Sequence, residues 1–189
     1  MINRREALSR VAIIMGGTVL GAEAFLTGCK TNTKGVTFSQ ADIDFLNEVG
    51  ETILPATDTP GAKAANVGAF MQIMVSDCYE AKDQEIFMQG MAELKFKASK
   101  AKIGKAFMEA SPEERTALLT ALDQEAKAYQ KNKKQEDPTH YFTMMKQLTL
   151  SGLFTSKIGA TEVLRFVAVP GKFEGCVPYT KGEKAWATS

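Results

Sequence analysis

The sequence predicts an all-α fold: a single helical bundle-like domain ending in an irregular, Pro/Gly-rich C-terminal arm. Apolar residues recur at three- and four-residue spacing in several successive segments, each bounded by cap or breaker residues. No segment alternates apolar and polar residues over several positions, and there is no internal repeat or low-complexity tract. The composition, 44% hydrophobic with 24% charged residues, is that of a folded protein with one core.

The first segment reads as an address rather than as part of that fold. Arg4 and Arg5 precede the mostly apolar run from Val11 to Leu26, and Leu26-Thr27-Gly28-Cys29 follows. A basic start, an apolar stretch and small residues before a cut site form an export signal, and paired arginines give its twin-arginine (Tat) version. Leu-Thr-Gly-Cys matches a bacterial lipobox in all four positions, so Cys29 is expected to be diacylated and to become the first mature residue. Residues 1–28 are therefore read as a Tat-type lipoprotein signal peptide and 29–37 as a lipidated tether. The product is expected on the periplasmic side, anchored to a membrane by lipid. An uncleaved span is the poorer reading, because the apolar run has 16 residues and contains Glu23.

Residues 38–189 hold the helical domain. Ser39 can cap a helix from Gln40, with Ile43, Leu46, Val49, Ile53 and Leu54 on its apolar face. Pro55 and Asp58-Thr59-Pro60-Gly61 then break it. Val67, Phe70, Met71, Met74 and Cys78 form the next stripe, which directs Cys78 inward; Phe87, Met91, Leu94, Ala98 and Ala101 form another. Ser111-Pro112-Glu113-Glu114 combines an N-cap, a first-turn proline and a capping-box glutamate, with Leu118, Leu119, Leu122, Ala126 and Tyr129 following on one side. Asp137-Pro138 is expected to open a fifth helix bearing Tyr141, Met145 and Leu148, and a short helix is expected from about Ala160 to Phe166. The run Val169 to Tyr179 has too much Pro and Gly for a helix, and either wraps the bundle or joins a partner.

Charge and motifs exclude much. A net charge of +1 gives no global attraction for nucleic acid. Removing residues 1–28 takes away three of 23 basic and two of 22 acidic side chains and leaves a neutral chain. One His and three Cys cannot furnish a His- or Cys-rich metal site. There is no Cys-x-x-Cys-His, no Gly-x-Gly-x-x-Gly, no phosphate loop and no Gly-x-Ser-x-Gly. No catalytic, cofactor-binding or metal-ligating residue is therefore assigned. His140 is read as a surface or half-buried helix residue rather than as a ligand acting with Met144 four residues on, and Met144 and Met145 are left unassigned between core and function. Lys95, Lys97, Lys100, Lys102 and Lys105 are read as a solvated helix face, and Met71, Met74 and Met91 as core.

With Cys29 lipidated, Cys78 and Cys176 remain in an oxidising compartment. A Cys78–Cys176 bridge would close a loop of about a hundred residues and contribute ~3–5 kcal/mol on the chain-entropy estimate. Two free thiols, or Cys176 bonded to a partner subunit, are the alternatives, and spacing alone does not choose among them.

The chain resembles the gluconate 2-dehydrogenase subunit 3 family, small subunits of membrane-bound flavoprotein dehydrogenases. The resemblance is carried by the twin-arginine start, Ile53-Leu54-Pro55 with Asp58-Thr59-Pro60-Gly61-Ala62, Ser111-Pro112-Glu113-Glu114-Arg115, Thr155-Ser156-Lys157-Ile158-Gly159-Ala160-Thr161, and Pro170 to Pro178. It implies a non-catalytic subunit whose partner is an FAD-binding catalytic chain of the glucose-methanol-choline type. That partner would oxidise a sugar or sugar acid and pass electrons to a cytochrome subunit or the quinone pool. The flavoprotein, lacking a signal, would cross the membrane folded with its signal-bearing companion. The lipobox departs from what every member need have and adds a membrane anchor. Interface residues are sought in Asp58, Pro60 and Gly61 and in Phe173, Gly175, Val177, Pro178 and Tyr179. From the residues alone, a stand-alone envelope lipoprotein binding a small ligand in a helical pocket is the competing reading.

Overall fold

The computed structural model describes residues 36–169, 171–172 and 175–187. Arg4 and Arg5, read above as an export signal, Cys29, read as its lipidation site, and Pro170, Phe173 and Glu174 of the arm lie outside them. Residues 36–187 belong to one compact unit of six α-helices: α1 (Gln40–Ile53), α2 (Val67–Ile73), α3 (Ala81–Ala92), α4 (Ser99–Ile103), α5 (Pro112–Asn132) and α6 (Tyr141–Phe154). No β-strand forms among the described residues; a single bridge joins Arg165 to Trp186.

Sequence-coded caps set two of the starts. Ser39 accepts the Asp42 N–H while the Asp42 carboxylate takes the Ser39 N–H at 2.9 Å, a reciprocal box at the head of α1. Ser111 and Glu114 make the same pair on α5, with Pro112 in the first turn where its missing N–H costs nothing.

The central helix is α6, which packs against α1, α2, α3 and α5. Its sequence is apolar nearly all round, and it buries Phe142, Met144, Met145, Leu148, Thr149, Gly152 and Leu153. Both Met144 and Met145 are therefore core. Thr149 survives full burial because its hydroxyl donates to the Met145 carbonyl at 2.8 Å. Around α6 the core adds Phe45, Leu46 and Val49 of α1, Val67 and Met71 of α2, Phe87 and Met91 of α3, and Leu118, Leu119, Leu122 and Ala126 of α5. Phe45 meets Phe107 edge-on, ring centroids 5.3 Å apart. At the α1–α2 crossing the backbones nearly touch: a Cβ on Gly68 would lie 2.3 Å from the Ile43 carbonyl oxygen. Asn47 caps the crossing by accepting the Gly68 N–H at 2.8 Å.

Five expectations need correction, and wide π-turns explain three. α2 passes directly into a π-turn, Met74–Cys78, and α3 into another, Glu93–Ala98. A π-turn rotates the residues after it off the stripe that a 3.6-residue period predicts. Cys78 is thus exposed rather than turned inward. In the same way Ala101 is exposed and Phe96 faces solvent, while Lys95 leaves the solvated face to pair with Asp42 above the Phe45 ring. The fifth predicted helix starts at Tyr141, not at Asp137-Pro138. The Asp137 carboxylate is used in the preceding turn on the Lys134 N–H (2.7 Å), and the Tyr129 hydroxyl holds the Pro138 carbonyl (2.9 Å). The last short helix is present but displaced: residues 157–163 are helical, of π type over Gly159–Val163, and the chain is extended by Leu164 instead of helical to Phe166.

Candidate partner interface

The sequence offered two Pro/Gly-rich segments as interface candidates, and they are built very differently. In the first, the Glu51 carboxylate reaches out of α1 and accepts the Ala56 and Lys63 N–H groups, both at 2.8 Å. The Ala62 N–H donates to the Leu54 carbonyl at 2.9 Å, and Ala62 itself is fully buried. Gly61 is buried inside this ring: a Cβ there would come within 2.5 Å of the Ala56 nitrogen and of both Glu51 oxygens. Asp58 is exposed and Pro60 half-buried. Gly61 is therefore part of the loop's internal packing and presents nothing outward, whereas Asp58 does.

A charged lock lies beside this loop. Glu48 of α1 pairs with Lys63 and, at 2.8 Å, with Arg115 of α5. Arg115 also donates to the Phe107 and Met108 carbonyls (3.1 and 2.9 Å) and lies over the Phe107 ring. The Lys63 hydrogen bond, with burial opposing and the Lys63 and Arg115 charges adding, holds the Glu48 carboxyl below its ordinary range. This cluster ties α1, α5 and the loop together and aims no unpaired group at a substrate.

His140 is a cap as well. Its Nδ1 accepts the Phe142 N–H at 3.2 Å at the head of α6, and its ring stacks on Tyr141, centroids 4.7 Å apart. Burial pushes the imidazole below its usual value against the opposing charges of Glu125 and Glu93, and burial likewise raises the Tyr141 phenol. Met144 is buried away in the core, so His140 and Met144 do not act as a ligand pair. Among the described residues no group of three or more His, Cys, Asp or Glu could hold a metal ion, and no helix is long and apolar enough to cross a membrane.

The second segment begins where α6 ends. Ser156 turns the chain: its hydroxyl donates to the Leu153 carbonyl (2.7 Å) and accepts the Gly159 N–H (2.9 Å). Only glycine fits at 159, because a Cβ would sit 1.8 Å from the Leu153 carbonyl oxygen. The chain then runs out through Arg165 and comes back at Trp186. The Arg165 N–H donates to the Ala185 carbonyl (2.8 Å), and the Ala187 N–H donates to the Arg165 carbonyl (3.0 Å). The Arg165 guanidinium lies 4.1 Å from the centre of the Trp186 ring and pairs with Glu183 at 2.6 Å. Lys184 donates to the Glu162 carbonyl.

Between these closures the described residues of the arm are largely open to solvent. Val169, Val177 and Tyr179 are 82%, 56% and 85% exposed, Phe166 and Trp186 are also exposed, and so are Gly175 and Pro178. The described part of the arm therefore does not bury its apolar side chains on its own bundle. Cys176 lies on it as a free, exposed thiol, and Cys78 is equally free, so the structure contains no Cys78–Cys176 bridge. Sequence reasoning missed Arg165, Glu183 and Trp186; the one signal available was a lone tryptophan close to the end of the chain.

The family model described as Gluconate 2-dehydrogenase subunit 3 matches residues 40–171, more than half of the chain. It spans α1 to α6 and stops at the start of the arm, so most of the Pro170–Pro178 run lies beyond the matched region. Comparison with curated proteins and with solved structures finds no match.

Proposed function

The chain belongs to the gluconate 2-dehydrogenase subunit 3 family, and from that premise we propose that it is the non-catalytic accessory subunit of an FAD-dependent sugar or sugar-acid dehydrogenase. Membership implies association with a dehydrogenase complex. The proposal adds three contributions from this chain: Tat export of a prefolded partner, a lipid anchor, and an interface that steadies the catalytic subunit. FAD resides in that partner, of the glucose-methanol-choline type, and there supplies the two-electron oxidation of the substrate. Electrons leave to a cytochrome subunit or the quinone pool.

The observation that carries the reading is the family match across the entire helical unit. Arg4 and Arg5 ahead of an apolar run ending in Leu26-Thr27-Gly28-Cys29 support export and anchoring. Tat transport suits a folded flavoprotein, and a small helical chain without a recognisable cofactor motif gives no reason of its own to use it. The exposed aromatic and aliphatic side chains of the arm supply anchors of the kind that protein interfaces bury.

The test is a mild-detergent pull-down of the tagged full chain from its native membrane, with mass spectrometry and a flavin spectrum. A co-purifying flavoprotein is expected, and it should be lost from the envelope when Arg4 and Arg5 are both changed to Lys. A chain recovered alone and without flavin would overturn the proposal and leave the stand-alone ligand-binding lipoprotein.

A further inference from the structure

The head of α6 gathers more titratable groups than a helix start needs. His140 supplies the cap, Tyr141 follows it, and Tyr129 stands beside it from α5. Glu93, from the π-turn after α3, and Glu125, from α5, both act on it by charge. His140 is also the only histidine in the sequence, the one side-chain type that ordinarily changes charge near pH 6. We propose that His140 is an acid-operated latch: neutral, it caps α6 through Nδ1 beside Tyr129 and Tyr141; protonated, it leaves the cap for the carboxylates of Glu93 and Glu125 and releases the head of α6. The latch belongs to the fold of this chain and does not depend on the accessory-subunit reading.

The two states follow from the donor and acceptor inventory of the ring. A neutral imidazole has one donor nitrogen and one acceptor nitrogen. Nδ1 accepts the Phe142 N–H at 3.2 Å, so the ring proton is on Nε2 in the capped state. A second proton, taken from water, has only Nδ1 to bind. It turns the acceptor into a donor facing another donor, and the Phe142 N–H loses its partner. It also sets a positive charge at the positive end of the α6 dipole. Burial holds the imidazole below its ordinary value of 6.5, against the charges of Glu125 and Glu93, which favour the cation. Because the folded value is lowered, the stability given by the cap is complete above pH 6.5 and is lost as pH falls through the folded value.

Each state has a place in the structure. The neutral ring stacks on Tyr141, which is lodged against α3: a Cβ on Gly90 would lie 2.1 Å from the Tyr141 ring. Tyr129, its centroid 5.7 Å from the imidazole, is fixed by its hydroxyl on the Pro138 carbonyl. The cation has two exposed carboxylates from different elements. Lys102 of α4 approaches Glu125 only to 3.8 Å and competes weakly for it. In the turn before the cap the charges are already engaged, Lys133 on the Asp137 carbonyl and the Asp137 carboxylate on the Lys134 N–H. Release loosens α6 where it meets α3 and α5, while Gly152 keeps its other half against Val67 and Phe70 of α2.

The test follows the single imidazole and the Phe142 amide of the full-length chain by NMR from about pH 8 to about pH 4, a range that spans ordinary histidine titration. Hydrogen exchange is expressed as protection, which removes its intrinsic pH dependence. In wild type the imidazole should titrate below pH 6.5, and protection of the Phe142 N–H should fall in step with it by about fivefold, the worth of one helix cap. His140→Asn caps without titrating, so its Phe142 protection should stay level. Glu93→Gln combined with Glu125→Gln removes the waiting carboxylates and should move the imidazole midpoint to lower pH. An imidazole still neutral at the acid end of the range, or one that titrates while Phe142 keeps its protection, would overturn the latch. So would an equal loss of protection in His140→Asn, since the acid effect would then arise elsewhere. An unmoved midpoint in the double glutamine variant would remove the second position and the latch with it. If His140→Asn does not fold, the wild-type curves and the glutamine variant decide alone.

Discussion

The Asp58–Ala62 loop and the Pro170–Tyr179 arm have similar composition and opposite construction. Both are rich in Pro and Gly; the loop joins α1 to α2, and the arm follows the last helical segment. The loop is drawn inward because Glu51, on the helix before it, offers a carboxylate at the spacing of two loop N–H groups, and because Gly61 leaves room for it. The described residues of the arm are tied at the ends, at Arg165 and Trp186, with Val177 and Tyr179 standing outward between. A turn-rich segment becomes internal packing when a rigid neighbour satisfies its backbone, and a presented surface where its apolar side chains find no neighbour to cover them.

The difference can be broken most severely at Gly61. Gly61→Val forces a side chain onto the Ala56 nitrogen and the Glu51 carboxylate, and should cost about 3 kcal/mol through overpacking and unpaired loop donors. A urea midpoint lowered at unchanged m-value would show it; an unchanged midpoint would mean that the loop is as loose as the arm. Arg115→Met should come next, at about 2–3 kcal/mol, since it removes a largely buried guanidinium from Glu48 and from the Phe107 and Met108 carbonyls.

Acid offers a graded version. The Glu48 carboxyl is held below its ordinary value in the folded chain, so the stability it contributes is fully present above the unfolded pKa and is lost as pH falls through the folded one. The melting temperature of wild type should therefore fall more steeply between about pH 5 and about pH 3 than that of Glu48→Gln, because protonation of that one site no longer matters in the variant. Parallel pH profiles would show that the lock beside the loop carries no acid sensitivity. The smallest effect belongs to the arm: Tyr179→Ala should shift the stability of the isolated chain by less than about 0.5 kcal/mol, as expected of an exposed side chain. A larger loss on chemical denaturation would place Tyr179 in the core after all.

How much was legible in the sequence follows the range of the interactions. Ser39 and Ser111 reveal their helices because a cap and its partner lie within four residues. The stripe Leu118, Leu119, Leu122, Ala126 reveals a buried face because helix period and burial coincide there. Cys78, Lys95 and Ala101 were misplaced because a π-turn shifts the period, and whether one forms depends on what packs against the helix. The candidate interface was half legible. Pro and Gly at 170–178 marked the segment as irregular, but neither Arg165 nor Trp186 advertises the other.

The sequence by itself thus determined the all-α class, the order of the helices, the principal caps and, through its motifs, the family. These depend on periodicity and on contacts between near neighbours, which a linear reading contains. Tertiary structure alone decided which of two similar loops would be internal, where Cys78 faces, and how the chain end closes on Arg165. Each of those outcomes turns on a hydrogen-bonding or packing partner supplied by another element, and chain position does not specify where such a partner will stand.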